Sequence, residues 1–304
     1  MPRYQFSLSE IKVRRIRDKK TCLPVAQFGA QRKDLLEIYS QFLDEELKGA
    51  GKRIDRGERY LRLKESEIDS RKLWFDVEAG RYGVPGKIVE TSTGADAYEI
   101  DKDDAASYPL RQALIVPRVG EYALWATELV GHTSALGGLT IAFKDWFRKK
   151  FEAEKLIVDI NHFQDTNAWN EFIDRARLNE ITYVVHEQDS DGAVGSRVQE
   201  YKSKALRRHW LPSPWIRSAL ERKLSPDTVF SASQIPDADE VRMQIESDGR
   251  YRTIVVGNDL PRFMYEISDG SGAAPSDETF RSEVLSEVGA SLEYMHVDRR
   301  AWDS

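Results

Sequence analysis

The fold class this sequence predicts is α+β: an antiparallel-sheet globular lobe with an inserted, movable second α/β lobe. Three observations predict it. Short apolar runs divided by Gly, Pro and Asp clusters make the first half a meander of strands around at least one helix. The local character changes near Glu154, and Ser225-Pro226-Asp227 with Ile235-Pro236-Asp237-Ala238-Asp239 forms an acidic, proline-bearing exit. The 304 residues also exceed the ~100 to 150 at which single domains cluster. The expected division is residues 1–154 with 238–304 as the globular lobe and 155–237 as the inserted, swivel-like lobe, hinged near Glu154 and Asp237.

Taken in order, Phe6 to Val13 alternates as a strand, and Asp18-Lys19-Lys20 turns the chain into a second strand through Val25 and Phe28, an edge hairpin. From Asp34 to Lys48 the set Leu35, Leu36, Ile38, Tyr39, Phe42, Leu43 and Leu47 recurs at helical spacing, and Gly49-Ala50-Gly51 ends the helix. Tyr60 to Leu63, Leu73 to Val77, Lys87 to Glu90, Gln112 to Val116 and Tyr122 to Leu129 read as short strands. After Gly137-Gly138, the residues Leu139, Phe143, Trp146, Phe147 and Phe151 mark the buried side of a helix whose other faces carry charge. Strand Leu156 to Ile160, helix Trp169 to Leu178 and strand Ile181 to Glu187 follow, then a loop at Asp189-Ser190-Asp191-Gly192. Val241 to Glu246, Tyr251 to Val256 and Phe263 to Ile267 are three more strands, expected to rejoin the first sheet. Pro275-Ser276 introduces a last helix over Asp277 to Tyr294.

A hydrophobic fraction of 40% with seven Trp is enough for a buried core and excludes intrinsic disorder. The formal net charge of −6 opposes approach to DNA, so contact with a polyanion needs a segregated basic face. Cys22 is the single cysteine, which excludes an intramolecular disulfide and a thiolate zinc cluster and fits a reducing compartment. The opening Met-Pro-Arg-Tyr-Gln lacks the marks of a secretory signal, and no apolar run approaches the ~20 residues that span a bilayer; a cytoplasmic protein is expected.

The motifs of enzymes are missing. No Gly-x4-Gly-Lys-Ser/Thr occurs, no Gly-x-Gly-x-x-Gly follows a strand, and Gly270-Ser271-Gly272 reads as a loop. His132, His162, His186, His209 and His296 show no metal-ligand spacing. His186 in an apolar strand, and His162 beside Asp159 and Asp165, offer only a weak acid–base arrangement. Pro226-Asp227 and Pro236-Asp237 suggest a two-metal nuclease, yet no Glu-x-Lys follows either on a later strand. Asp101, Asp103 and Asp104 lack the Gly and closing Glu of a Ca²⁺ loop. The chain is expected to be no enzyme and to use no cofactor or metal.

What stands out is a basic segment. Between Arg197 and Lys223 the cations Arg197, Lys202, Lys204, Arg207, Arg208, Arg217, Arg222 and Lys223 face only Glu200 and Glu221, with His209, Trp210 and Trp215 among them. Cations interleaved with flat rings suit nucleic acid, charge for phosphates and rings for bases or sugars. The plainer alternative is a pair of solvated amphipathic helices. Read as a helix, Arg197 to His209 puts Arg197, Lys204 and Arg208 on one stripe, with Val198, Tyr201, Ala205 and His209 beside it, at ~100° per residue. Leu211-Pro212-Ser213-Pro214 ends it before a second helix opening at Trp215, a loose helix-turn-helix made for phosphates rather than base edges. A second basic set is Lys12, Arg14, Arg15, Arg17, Lys19 and Lys20, and a third is Lys144, Arg148, Lys149 and Lys150. The DNA-contact residues expected from clustering are Arg197, Lys202, Lys204, Arg207, Arg208, Arg217, Lys144, Arg148 and Lys149.

The order of elements, with Gln112-Ala-Leu-Ile-Val-Pro-Arg-Val-Gly-Glu-Tyr-Ala-Leu-Trp-Ala-Thr-Glu-Leu-Val-Gly131, the strand-rich Lys155 to Glu187, Val241 to Ile267 and the helix from Asp277, resembles the RexA family. RexA is the cytosolic DNA-binding member of the RexA and RexB phage-exclusion pair carried by prophages. The resemblance implies a two-lobed homodimer that holds double-stranded DNA without sequence preference, senses a product of phage replication and activates a RexB-like membrane protein. No signature motif accompanies it, so it transfers no functional residue. Two other function classes remain open at this point: a metal-dependent nuclease of phage defence, and a protein-interaction adaptor whose basic face docks an acidic partner.

Overall fold

The computed structural model describes residues 4–18, 20–131, 133–163, 173, 175–188, 196–206, 209–230, 238–247, 250–256, 262–267, 274–294 and 297–303. In chain order, β1 (Tyr4–Arg15) and β2 (Cys22–Leu23) precede α1 (Leu35–Phe42), which runs into a π-helical turn at Leu43–Leu47. Strands β3 (Lys52–Ile54), β4 (Arg59–Asp69), β5 (Lys72–Arg81), β6 (Gly86–Val89), β7 (Asp96–Ile100), β8 (Ala106–Ile115), β9 (Tyr122–Val130) and β10 (Thr133–Ser134) lead to α2 (Leu136–Lys150) and β11 (Leu156–His162). Then come β12 (Arg177–Gln188), β13 (Ser196–Lys204), α3 (Pro214–Leu220), α4 (Pro226–Phe230), β14 (Glu240–Ser247), β15 (Arg250–Val256), β16 (Arg262–Glu266) and α5 (Asp277–Tyr294). Contacts divide the chain into two compact units, Met1–Asn161 with Ser268–Ser304, and His162–Ile267. The α+β class expected from sequence is what the strands and helices form.

In the first unit the strands run in the order β3-β4-β5-β8-β9-β1, each neighbour antiparallel, while β6 and β7 make a separate hairpin. Both faces of this sheet are covered, which explains why Leu73-Trp74-Phe75 reads as a continuous apolar run rather than as an alternation. Phe75 and Trp125 point toward α1 and α2, where the Tyr39 ring centroid lies 5.6 and 5.8 Å from theirs and 4.5 Å from that of Phe143. Trp74 and Phe6 point the other way, to Phe280 of α5, at 6.4 and 6.3 Å. The second strand is shorter than expected: β2 pairs with β1, Val13 opposite Leu23, but Val25 lies in a turn and Phe28 makes only an isolated bridge to Lys33.

In the second unit the order is β13-β12-β14-β15-β16, again antiparallel. Ile181, Tyr183, Met243, Ile245 and Ile254 pack on one face against Ile216 and Ala219 of α3, and the Phe230 ring of α4 meets Tyr183 at 5.7 Å.

Three expectations are corrected here. The segment read as a helix from Arg197 to His209 is strand β13 up to Lys204: Glu200, Lys202 and Lys204 are exposed while Gln199, Tyr201 and Ser203 alternate inward, a period of two that pairing with β12 enforces. The loose helix-turn-helix is therefore a strand, a loop and then α3, which does open at Pro214. The unit boundaries fall at 161/162 and 267/268 instead of 154/155 and 237/238, because β14 pairs with β12 and keeps β14 to β16 in the second unit. Of the helix expected from Trp169 to Leu178, Ile173 and Arg175 are helical, Arg177 and Leu178 instead open β12, and residues 169–172 and 174 lie outside the described residues. The loops expected at Asp189-Ser190-Asp191-Gly192 and Gly270-Ser271-Gly272 lie outside them too, as do Pro236 and Asp237.

Candidate nucleic-acid interface

Where β13 ends, the chain is tied to the start of β12. Ala205 donates its N–H to the Asn179 carbonyl at 2.8 Å, and Leu211 donates to the Leu178 carbonyl at 2.8 Å. Two consecutive carbonyls of β12 thus hold both ends of segment 205–211, and the His209 N–H closes a turn onto the Leu206 carbonyl at 2.9 Å. Between those ends Leu206 is 79% exposed, Trp210 is 39% exposed and His209 is exposed, while Leu211 packs against the core of the second unit. Leu178 and Leu211 form an antiparallel bridge, so Arg177 and Trp210, each one residue before it, lie diagonally across it on the same face. The Arg177 guanidinium lies over the indole, 5.6 Å from its centroid. A cation–π contact at such an exposed place contributes about 0.5–1 kcal/mol, enough to orient both groups without burying either.

Lys202 and Lys204 flank this corner. Their ammonium groups lie 3.2 and 3.7 Å from the two carboxylate oxygens of Glu180, which belongs to β12. One carboxylate faces these two lysines, and Glu200, on the same exposed side of β13, is paired with Arg242 at 3.0 Å, so the positive charge here is far more compensated than the linear sequence suggested. The lysine ends are exposed while the Glu180 side chain is largely covered, so the ammonium groups can turn toward a phosphate but Glu180 stays beside them. The lysines lie on β13, the end strand of this sheet among the described residues, where charge also keeps an open edge from pairing with another chain.

The remaining expected contacts are dispersed. Arg197 pairs through its backbone with Glu187 in the β12–β13 ladder, and its side chain lies outside what is described. Arg207 and Arg208 lie outside the described residues. Arg217 is exposed on α3, whereas Trp215 is partly buried and packs against the core of the second unit. Lys144, Arg148 and Lys149 all sit on α2, in the first unit. Arg148 pairs with Asp145 at 3.2 Å, and Lys150 lies 3.5 Å from Glu45 with its ammonium 4.5 Å from the centroid of Trp146. The last turn of a helix is where its dipole favours cations, so this set has a structural reason as well. In the second basic set, Arg14 is taken by Asp159 of β11 and Lys12 by Glu10 at 2.8 Å. Arg177 was not expected, because nothing in the sequence around it signals that a distant indole will be bridged to its neighbour.

Among the described residues no group of three His, Cys, Asp or Glu side chains is placed to hold a metal ion. Cys22 is half-buried, and burial pushes its thiol above the ordinary range, which makes it a poor nucleophile. No family model, curated protein or solved structure matches this chain.

Proposed function

We propose that this protein binds DNA through its phosphates, without sequence preference and without doing chemistry on it. The observation that supports the reading is the corner at the start of β12, where Lys202, Lys204, Arg177, His209 and Trp210 come together from separate stretches of sequence. Arg217 on α3 and Lys144, Arg148 and Lys149 on α2 are proposed as further phosphate contacts of their own units. Following the resemblance to the RexA family, the proposed setting is a prophage-encoded exclusion system. There the chain acts in the cytoplasm as a homodimer and signals to a RexB-like membrane protein. Among the described residues no helix is long and apolar enough to cross a membrane.

The test is fluorescence anisotropy of a labelled random-sequence duplex at several salt concentrations, with and without Mg²⁺, followed by a gel of the recovered DNA. Binding is expected to fall steeply with salt and to leave the duplex uncut. Changing Lys202→Gln together with Lys204→Gln removes two phosphate contacts and flattens the log–log salt slope by about 2. Affinity indifferent to salt, or cleavage dependent on Mg²⁺, overturns the proposal.

A further inference from the structure

We infer that the Trp210 platform receives an unpaired base, so that the protein prefers single-stranded or locally opened DNA to intact duplex. This rests on the DNA-binding reading above and narrows its substrate. Cations alone serve a duplex, whose bases are stacked on one another and present no ring face to a protein surface. The Trp210 indole, 39% exposed beside Arg177, adds nothing to phosphate binding; the use inferred for it is stacking, and stacking needs a base that has left its own neighbours.

The local construction fits that use. Trp210 is fixed by the hydrogen bond of the next residue to β12, so its backbone has little freedom left to lose on binding. Arg177, exposed and opposite Glu246 in the β12–β14 ladder, lies over the ring as a second planar group of the kind that stacks on bases and pairs with phosphates. Leu206, 79% exposed at the far end of the same short loop, adds apolar surface that a base or sugar can cover. Lys202 and Lys204 follow one another on the exposed side of β13, about 7 Å apart along the strand, a spacing that lets two ammonium groups track the backbone of one nucleic-acid strand. The corner thus offers a stacking surface beside a short cationic track, and duplex DNA uses only the second.

The experiment compares a labelled oligo(dT) of 20 nucleotides with a random duplex of the same length at one ionic strength, using the full chain and the variants Trp210→Ala and Trp210→Phe. The wild-type chain is expected to bind the single strand more tightly. Trp210→Ala should lose about tenfold or more on the single strand and less than twofold on the duplex, since one base–aromatic stack is worth that much. Trp210→Phe should keep most of the single-strand affinity, because a phenyl ring still stacks; this also guards against a trivial loss of fold, checked by an unchanged urea midpoint. Equal losses on both substrates, or no loss on the single strand, overturn the inference while leaving the phosphate-binding reading intact. A wild-type chain that binds neither substrate overturns both.

Discussion

Asp76 lies in β5 directly opposite Arg111 of β8, yet Arg111 gives its hydrogen bonds elsewhere: to Glu128, to the Pro275 carbonyl at 2.9 Å and to Asp277 at 3.2 Å. The carboxyl of Asp76 is consequently half-buried without a donor, and burial first, then the charges of Asp277 and Glu65, push its pKa up to about 6 against the opposing effect of Arg111. From the ordinary value of 3.8 up to about 6, the folded chain holds a proton that the unfolded chain has released, so stability falls as pH rises through that window. Asp76→Asn removes the penalty. It should stabilise the protein by about 1–2 kcal/mol at pH 7, a figure already reduced for the solvent that reaches this group, and should be neutral near pH 4. Urea denaturation at pH 4, 5, 6 and 7 reads this directly, and a gain that stays constant with pH contradicts the assignment.

At the scale of elements, α1 depends on one residue that does two jobs. Asp34 accepts the Leu36 N–H at 2.9 Å as the N-cap and holds Arg71 through bonds of 2.6 and 3.0 Å, while Arg71 also donates to the Val116 carbonyl at 2.7 Å. The cap ties a helix to two strands. Asp34→Ala should cost about 2–4 kcal/mol, combining a lost cap with an unpaired, largely covered guanidinium, and Asp34→Asn, which keeps a capping oxygen, about half as much. Equal losses for the two variants in urea titrations would show that the cap contributes little. This helix was legible in the sequence, though the capping role of Asp34 was not, because its apolar spacing is the burial pattern itself. So were β5 and β9, whose uninterrupted apolar runs require cover on both faces. Strand β13 was not legible as a strand, since Val198 to Lys204 offers cations and an aromatic at spacings that satisfy a helix stripe as well as an alternation. What decides it is a partner, β12, and pairing across a loop leaves no local mark. The same holds for the corner: its lysines and indole could be picked out by composition, but Arg177 joins them only through the Leu178–Leu211 bridge.

For the molecule as a whole the difficulty is charge, because a chain of formal net charge −6 is repelled by the polyanion it is proposed to hold. Contact can succeed only where cations outnumber carboxylates within a Debye length, ~8 Å at physiological ionic strength. At the β12–β13 corner that margin is set by Glu180, which is shared by Lys202 and Lys204 and would stand close to any phosphate that replaced it. On α2, Asp145 beside Arg148 plays the same part. Carboxylates in these positions would weaken the proposed complex twice, by occupying the cations beforehand and by repelling the phosphates afterwards. Glu180→Gln should therefore tighten duplex binding by about three- to tenfold at low salt, an effect of ~1 kcal/mol that fades as salt is raised, because screening removes the repulsion along with the attraction. Anisotropy titrations of wild type and variant across a salt series measure it. Weaker binding by the variant would mean that Glu180 positions the lysines productively rather than competing with DNA for them, and an unchanged affinity would place the phosphate contacts away from this corner.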